Sequence, residues 1–278
     1  MESGLYIVAT PIGNLGDISP RVLEALRDAD LIAAEDTRHS QRLLQHFAID
    51  TPVMAYHDHS DDRAVDRVLK ALESGGTVAL ISDAGTPLIS DPGFRLVRRV
   101  QDEGFSTVPV PGACAAIAGL SASGLPTDRF RFEGFLPAKQ GARAERILSL
   151  ASETATLVLY EAPHRLVATL EALVEGMGAD REAVLAREIT KTFETIRRDT
   201  LANLLAFVLA DNNQQRGECV LMVRGASTTE AELDPRLLRL LQALATEMPG
   251  KRAAALLAEY SGVRKNTLYQ YLLDQRED

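Results

Sequence analysis

The chain has 278 residues, 46% of them hydrophobic and 25% charged, with a net charge of −9 and two cysteines. That length suggests about two domains, and the composition is that of a folded, water-soluble protein rather than a disordered one. No apolar run approaches the roughly 20 residues of a membrane helix, two cysteines are too few for a disulfide framework or a cysteine-rich metal site, and the acidic balance argues against free nucleic acid as partner of the bulk of the chain.

The start, Met1-Glu2-Ser3-Gly4, lacks a basic segment and leads straight into a strand-like run, so a cytoplasmic protein without a signal peptide is expected. Leu5–Ala9 reads as the first strand, followed by the loop Thr10-Pro11-Ile12-Gly13-Asn14-Leu15-Gly16-Asp17. Ser19-Pro20 opens a helix with Val22, Leu23 and Leu26 on one face. Leu31–Ala34 is a second strand ending in Glu35-Asp36-Thr37-Arg38-His39, and Val53–Tyr56 a third ending in His57-Asp58-His59. The fourth, Val78–Ile81, runs into Ser82-Asp83-Ala84-Gly85-Thr86-Pro87-Leu88-Ile89-Ser90-Asp91-Pro92-Gly93, where Asp91-Pro92 reads as a helix cap and first helical position. Val108–Val110 and the turn Pro111-Gly112-Ala113-Cys114-Ala115-Ala116 complete this half. Strands alternating with helices imply a mostly parallel sheet with both faces covered.

Small residues followed by Gly124 and Pro126 mark a boundary, placing an N-terminal α/β domain at 1–122 and a second at 123–227. The second half offers strands at 131–136, 156–160, 183–186, 194–198 and 219–223, with helices near 143–152, 165–176 and 200–210. The closer spacing of its strands permits antiparallel pairing. Residues 228–234 are polar and acidic, as in a linker, and 235–247, 251–260 and 265–275 read as helices. Residues 235–278 carry seven Lys and Arg against five Asp and Glu, so the tail is mildly basic on an acidic body. Its helix, Ser261-Gly262-Val263 turn and helix opening on Arg264-Lys265 resemble a helix-turn-helix nucleic-acid module; a helical cap or dimerisation element is the alternative.

In open α/β sheets ligands lie outside the carboxyl ends of the strands. Three small-residue turns, after the first, fourth and fifth strands, are therefore expected to wall one crevice, with Ala84 and Gly85 leaving a ligand close to backbone. None carries a Gly-Lys-Ser/Thr phosphate loop or the G-x-G-x-x-G dinucleotide pattern, which disfavours an ATPase or an NAD enzyme. The charged runs Glu35–His39, Tyr160-Glu161-Ala162-Pro163-His164-Arg165 and Arg187-Glu188-Ile189-Thr190-Lys191-Thr192 follow buried strands and suit a substrate cleft, although a solvated loop is the ordinary reading of the first. His57-Asp58-His59 has metal-ligand chemistry but no evident third ligand, and no metal is expected. Cys114 and Cys219 read as structural thiols, and Lys139, Arg143 and Arg146 as a solvated helix face.

As a set these segments resemble the tetrapyrrole-methylase-like class of S-adenosylmethionine-dependent methyltransferases. The carrying residues are the loop 10–17, Ala34-Glu35-Asp36-Thr37-Arg38, Ser82–Pro87, Pro111-Gly112, Glu133-Gly134-Phe135-Leu136-Pro137, Tyr160–Arg165 and Ala186-Arg187-Glu188, in order across residues 4–224. Within that class the chain is more similar to a bacterial branch that 2'-O-methylates a cytidine ribose of 16S ribosomal RNA, whose members also end in a basic helical tail. The resemblance implies two α/β domains with the cofactor in the cleft between them, a C-terminal helical RNA-binding module, and a homodimer. It places S-adenosylmethionine contacts at Leu15, Asp83, Ala84, Gly85, Thr86, Ile89, Cys114, Ala115, Glu161 and Thr190. Tetrapyrrole members carry Gly-Gly-Asp where this chain has Ala84-Gly85-Thr86, so detailed hydrogen bonds do not transfer.

Methyl transfer from a sulfonium needs little activation of the donor; a ribose hydroxyl must be aligned and must lose its proton. Glu35, Asp36, Glu161, Glu188 and Lys191 are candidates to assist, with Glu188 and Lys191, three apart after the strand 183–186, the catalytic pair favoured here. Arg38, Arg165 and Arg187 suit phosphate oxygens, with Lys251, Arg252, Arg264 and Lys265 of the tail meeting RNA. A small-molecule methyltransferase, or a non-catalytic RNA-assembly protein, would each leave one of these features without a role.

Overall fold

The computed structural model describes residues 1–57, 62–227, 235–261, 263 and 265–274. Its first half is a five-stranded parallel sheet: β1 (Gly4–Val8), β2 (Leu31–Ala34), β3 (Val53–Ala55), β4 (Thr77–Ile81) and β5 (Thr107–Val110), in the order β3-β2-β4-β1-β5. β2 and β4 are buried along their whole length, which is why they read as unbroken apolar runs. Helices α1 (Pro20–Asp28) and α2 (Thr37–His46) contribute Val22, Ala25, Leu26 and Leu44 to the core on one face, and α3 (Asp62–Glu73) and α4 (Phe94–Asp102) contribute Val68, Leu72, Leu96 and Val100 on the other. Ser19 caps α1 as expected, its hydroxyl accepting from the Val22 N–H with Pro20 in the first turn.

The Asp91-Pro92 cap is corrected. α4 starts at Phe94 with Gly93 at the cap position (φ +135°) and no side-chain cap. Leu88 and Ser90 are both left-handed (φ 71° and 66°), so the loop turns tightly and keeps Asp91 on a cavity wall instead of at a helix end.

α5 (Ala115–Ser123) leaves the carboxyl end of β5 yet packs Ala116 and Leu120 against Val158, Val184, Val220 and Met222 of the second sheet. That sheet comprises β6 (Phe130–Phe135), β7 (Thr156–Glu161), β8 (Glu182–Arg187), β9 (Thr195–Thr200) and β10 (Cys219–Val223), in the order β6-β7-β10-β8-β9. β6 and β7 are parallel and the other pairs antiparallel. α6 (Gln140–Leu150), α7 (Leu166–Met177) and α8 (Leu201–Ala210) cover the face opposite α5. Arg143 of α6, expected in solvent, is buried, and Arg146 donates to Glu133 (Nε 3.1 Å).

α9 (Pro235–Glu247), α10 (Gly250–Ser261) and α11 (Lys265–Asp274) form a separate small core around Leu241, Ala254, Leu257 and Leu268. Among the described residues no helix is long and apolar enough to cross a membrane.

Candidate functional site: a cleft between the two sheets

The three small-residue turns follow β4, β1 and β5, which are neighbours in the sheet. They are tied edge to edge. Thr10 and Gly85 exchange backbone hydrogen bonds of 2.8 and 3.0 Å, and the Thr86 hydroxyl donates to the Ala113 carbonyl at 2.9 Å. Gly85 has φ +83°, and a Cβ there would sit 3.2 Å from Ile12 Cγ2. The chain therefore uses glycine where loop meets loop.

These turns and the ends of β7 and β10 enclose a cavity of about 410 Å3. One wall is Asp83, Ala84, Gly85, Thr86, Ile89, Cys114 and Ala115; the facing wall is Tyr160, Glu161, Ala162, Ile189 and Cys219. The Tyr160 hydroxyl accepts from the Ala116 N–H (3.1 Å), capping α5 from the second sheet, and burial pushes its pKa up. Burial pushes the Cys219 thiol up to about 12. Cys114 is only half-buried and lines the cavity, so it is not the enclosed thiol expected for both cysteines. Glu35 and Asp91 also line it; burial raises both carboxyls above their ordinary range, with Asp91 and Asp83 adding to the effect at Glu35 and Asp83 at Asp91.

A second cavity of about 290 Å3 adjoins the first and shares Ile12, Asp83, Ala84 and Glu218 with it. Leu15 and Lys191 line this second space, not the first. Thr190 lines neither; its N–H donates to Glu194 (2.6 Å). Sequence reasoning missed Glu218, which lines both cavities; the signal available was its place just before β10.

The charged residues of the second half are largely committed to one another. Glu161 is buried, accepting from the Ala162 N–H (2.9 Å) and Thr169 hydroxyl (2.6 Å) and pairing with Arg165 (3.1 Å). Arg165 also donates to the Leu136 carbonyl (2.6 Å). Arg187 is buried, donating to Gln214 (3.1 Å), the Arg216 carbonyl (3.1 Å) and the Phe193 carbonyl (3.0 Å). The expectation that Arg165 and Arg187 meet phosphate is accordingly corrected: their donors tie down loops. Arg38 differs, with a side chain 90% exposed and, among the described residues, bonded only to Asp36.

Glu188 and Lys191 do meet. Lys191 Nζ lies 2.9 Å from both Glu188 and Glu218, and Glu188 also accepts from the Glu218 N–H (3.0 Å). Burial opposes both charges, but these bonds outweigh it, holding Glu188 below and Lys191 above their ordinary values. Lys191 is thus a cation at neutral pH and Glu188 a weak base. Lys251 and Arg252 open α10 and Lys265 opens α11, all exposed, with Lys251 Nζ 5.8 Å from the Tyr269 ring. Arg264, Gly262, the 228–234 linker, and Asp58 and His59 of the His57–His59 run lie outside the described residues.

Residues 4–205 match the family model for Tetrapyrrole (Corrin/Porphyrin) Methylases, and 231–276 that for the RsmI C-terminal HTH domain. The chain is 57% identical over 279 aligned residues to Ribosomal RNA small subunit methyltransferase I of Pseudomonas aeruginosa, covering 99% of each. It is 52% identical to the protein of that name from Escherichia coli O157:H7, covering 99% of this chain and 96% of that one. Among solved structures, a cobalamin biosynthetic enzyme, cobalt precorrin-4 methyltransferase, superposes with a TM-score of 0.59 at 19% identity, over 79% of this chain and 94% of that one. Diphthine synthase does so at 0.58 and 18%, over 79% and 89%. At such identities the likeness is one of fold.

Proposed function

Because the chain belongs to the tetrapyrrole methylase family and, within it, to the ribosomal RNA small subunit methyltransferase I group, we propose that it transfers a methyl group from S-adenosylmethionine to the 2'-hydroxyl of a cytidine in 16S ribosomal RNA. The observation that carries the reading is the 410 Å3 cavity between the sheets, walled by backbone and small side chains on one side and adjoined by a second cavity. It fits the cofactor's chemistry. Ile12, Ile89 and Ala115 offer apolar surface, Gly85 and Ala84 let a ligand lie on backbone, and the carboxyl groups of Glu35, Asp83 and Asp91 line the same cavity and would complement a positively charged sulfonium.

When bound, the cofactor supplies an electrophilic methyl carbon: its S–C bond breaks as the O–C bond forms, leaving a neutral thioether. The chain must orient the hydroxyl and take its proton. Lys191, a fixed cation beside the shared wall, steadies the developing negative oxygen, and Glu188 holds Lys191 in place. The proton passes to a carboxylate of that wall, Asp83 or Glu218. The exposed cations Arg38, Lys251, Arg252 and Lys265 meet RNA phosphates, offsetting an otherwise acidic surface. The working form is a cytoplasmic homodimer acting on the small ribosomal subunit.

The test is transfer of radiolabelled methyl onto unmethylated small subunits, free 16S RNA and total tRNA, followed by nucleoside mapping. Label in one 2'-O-methylcytidine of 16S RNA is expected. Cofactor binding with label in none of these RNAs would return the chain to a small-molecule role.

A further inference from the structure

The second cavity holds a feature that packing does not explain. Ser40, on the buried face of α2, is 3% exposed and lines this space, and its hydroxyl has no hydrogen-bond partner among the described residues. The other hydroxyls there are occupied. Thr10 donates to the Ser82 carbonyl, and Ser82 to the carbonyls of Ala84 and Gly85. An unpaired buried hydroxyl costs free energy, and native folds retain few of them. The same cavity carries His39 and Arg42, which suit the phosphates flanking a nucleoside. At about 290 Å3 it lies near the lower end of small-molecule sites. It shares Ile12, Asp83, Ala84 and Glu218 with the cavity assigned to the methyl donor.

We propose that this second cavity receives the target nucleoside of the RNA, turned out of its strand, and that the Ser40 hydroxyl makes a hydrogen bond to it. The inference rests on the RNA methyltransferase reading above and adds the seat of the acceptor. Two spaces that touch at one wall let the ribose oxygen and the methyl carbon approach in line while each substrate keeps its own pocket. RNA is read most specifically where unpaired nucleotides of loops and bulges are splayed out and held one at a time by a protein. The stem of Lys191 closes one side, lying so near Gly13 that an added Cβ would be 2.5 Å from Lys191 Cγ. The nucleoside thereby touches both halves of the chain. Ser40 supplies the partner-seeking group that distinguishes a seated nucleoside from an empty slot.

The experiment compares wild type, Ser40→Ala and Ser40→Leu in single-turnover methylation of unmethylated small subunits, with cofactor affinity by calorimetry and thermal melting on the same preparations. Ser40→Ala removes an unpaired oxygen; we expect a melting temperature equal to or above wild type, cofactor affinity within twofold, and methyl transfer slower by about tenfold. A merely structural serine would instead lower melting and activity together. Ser40→Leu fills the cavity, and methylation should fall by 100-fold or more with cofactor affinity retained. A folded, cofactor-binding Ser40→Leu that methylates at the wild-type rate overturns the inference alone. If Ser40→Leu does not fold, Ser40→Ala decides: wild-type transfer by it overturns the inference. A wild type that binds cofactor but labels no ribosomal RNA overturns the proposed function, and this inference with it.

Discussion

The two sheets meet the cavity with different materials. The first presents backbone and small side chains, Ala84, Gly85, Thr86 and Ala115, on loops stitched to one another through Thr10–Gly85 and Thr86–Ala113. The second arrives with charge, but Glu161, Arg165, Arg187 and Glu188 spend it on holding their own loops. Residues that bind by being small have little else to do, so their pattern points to a ligand. Arginines and carboxylates at strand ends serve a ligand or a loop equally well, and only coordinates separate the two.

The largest effect that could break this contrast is on stability. Arg187→Met strands the Gln214 side chain and the Phe193 and Arg216 carbonyls, all bonded to the guanidinium. We expect a loss of roughly 3 kcal/mol in urea unfolding, with cofactor affinity unchanged in the folded fraction. A stable Arg187→Met with impaired RNA binding would return that arginine to the substrate.

Next is the Glu188–Lys191 pair, whose lysine lines the second cavity. Lys191→Met should slow single-turnover methyl transfer by about 100-fold with cofactor affinity little changed. Glu188→Gln should follow it in direction, since Glu188 acts by holding Lys191. Near-normal turnover in both at saturating RNA would leave catalysis to positioning alone.

Removing residues 235–278 sharpens the contrast between the body and its tail. The tail has its own core around Leu241 and Leu257 and carries the exposed Lys251, Arg252 and Lys265. The truncated chain should bind cofactor normally but methylate RNA about tenfold less well, with a shallower salt dependence. Equal methylation across a salt titration would make the tail a structural cap.

The smallest effect is the pH dependence of the Glu188–Lys191 pair. Glu188 is held low, so its contribution is present above the ordinary carboxylate pKa of about 4.3 and is lost as pH falls through its lower folded value. Lys191 is held high, so its contribution is present below about 10.4 and is lost as pH rises through its higher folded value. The stability difference between wild type and Lys191→Met should therefore be flat from about pH 5 to 10, at no more than about 1 kcal/mol, and shrink outside that window. A difference that changes between pH 6 and 9 would contradict the pairing.

What the sequence disclosed divides along the same line. Periodicity and capping placed every strand to within a residue or two, because buried parallel strands and a Ser-Pro helix start leave strong local patterns. The small-residue turns were readable as cavity walls for the reason above. The start of α4 was not, since Asp91-Pro92 has the form of a cap and only the left-handed Leu88 and Ser90 reveal the tighter loop. Nor was the packing of α5 on the second sheet, a long-range choice made by Ala116 and Leu120 that no local pattern encodes. Glu218 and Ser40 escaped notice because each sits among ordinary neighbours in the chain and gains meaning only from the space it lines.

The most direct measurement is calorimetric titration of S-adenosylmethionine into wild type, Ala84→Leu and Glu188→Gln, each checked for folding. A leucine at position 84 projects into the wall shared by both cavities and should weaken binding tenfold or more, while Glu188→Gln stays within twofold of wild type. Unchanged binding by a folded Ala84→Leu, or a loss confined to Glu188→Gln, would contradict the placement of the methyl donor against the small-residue loops.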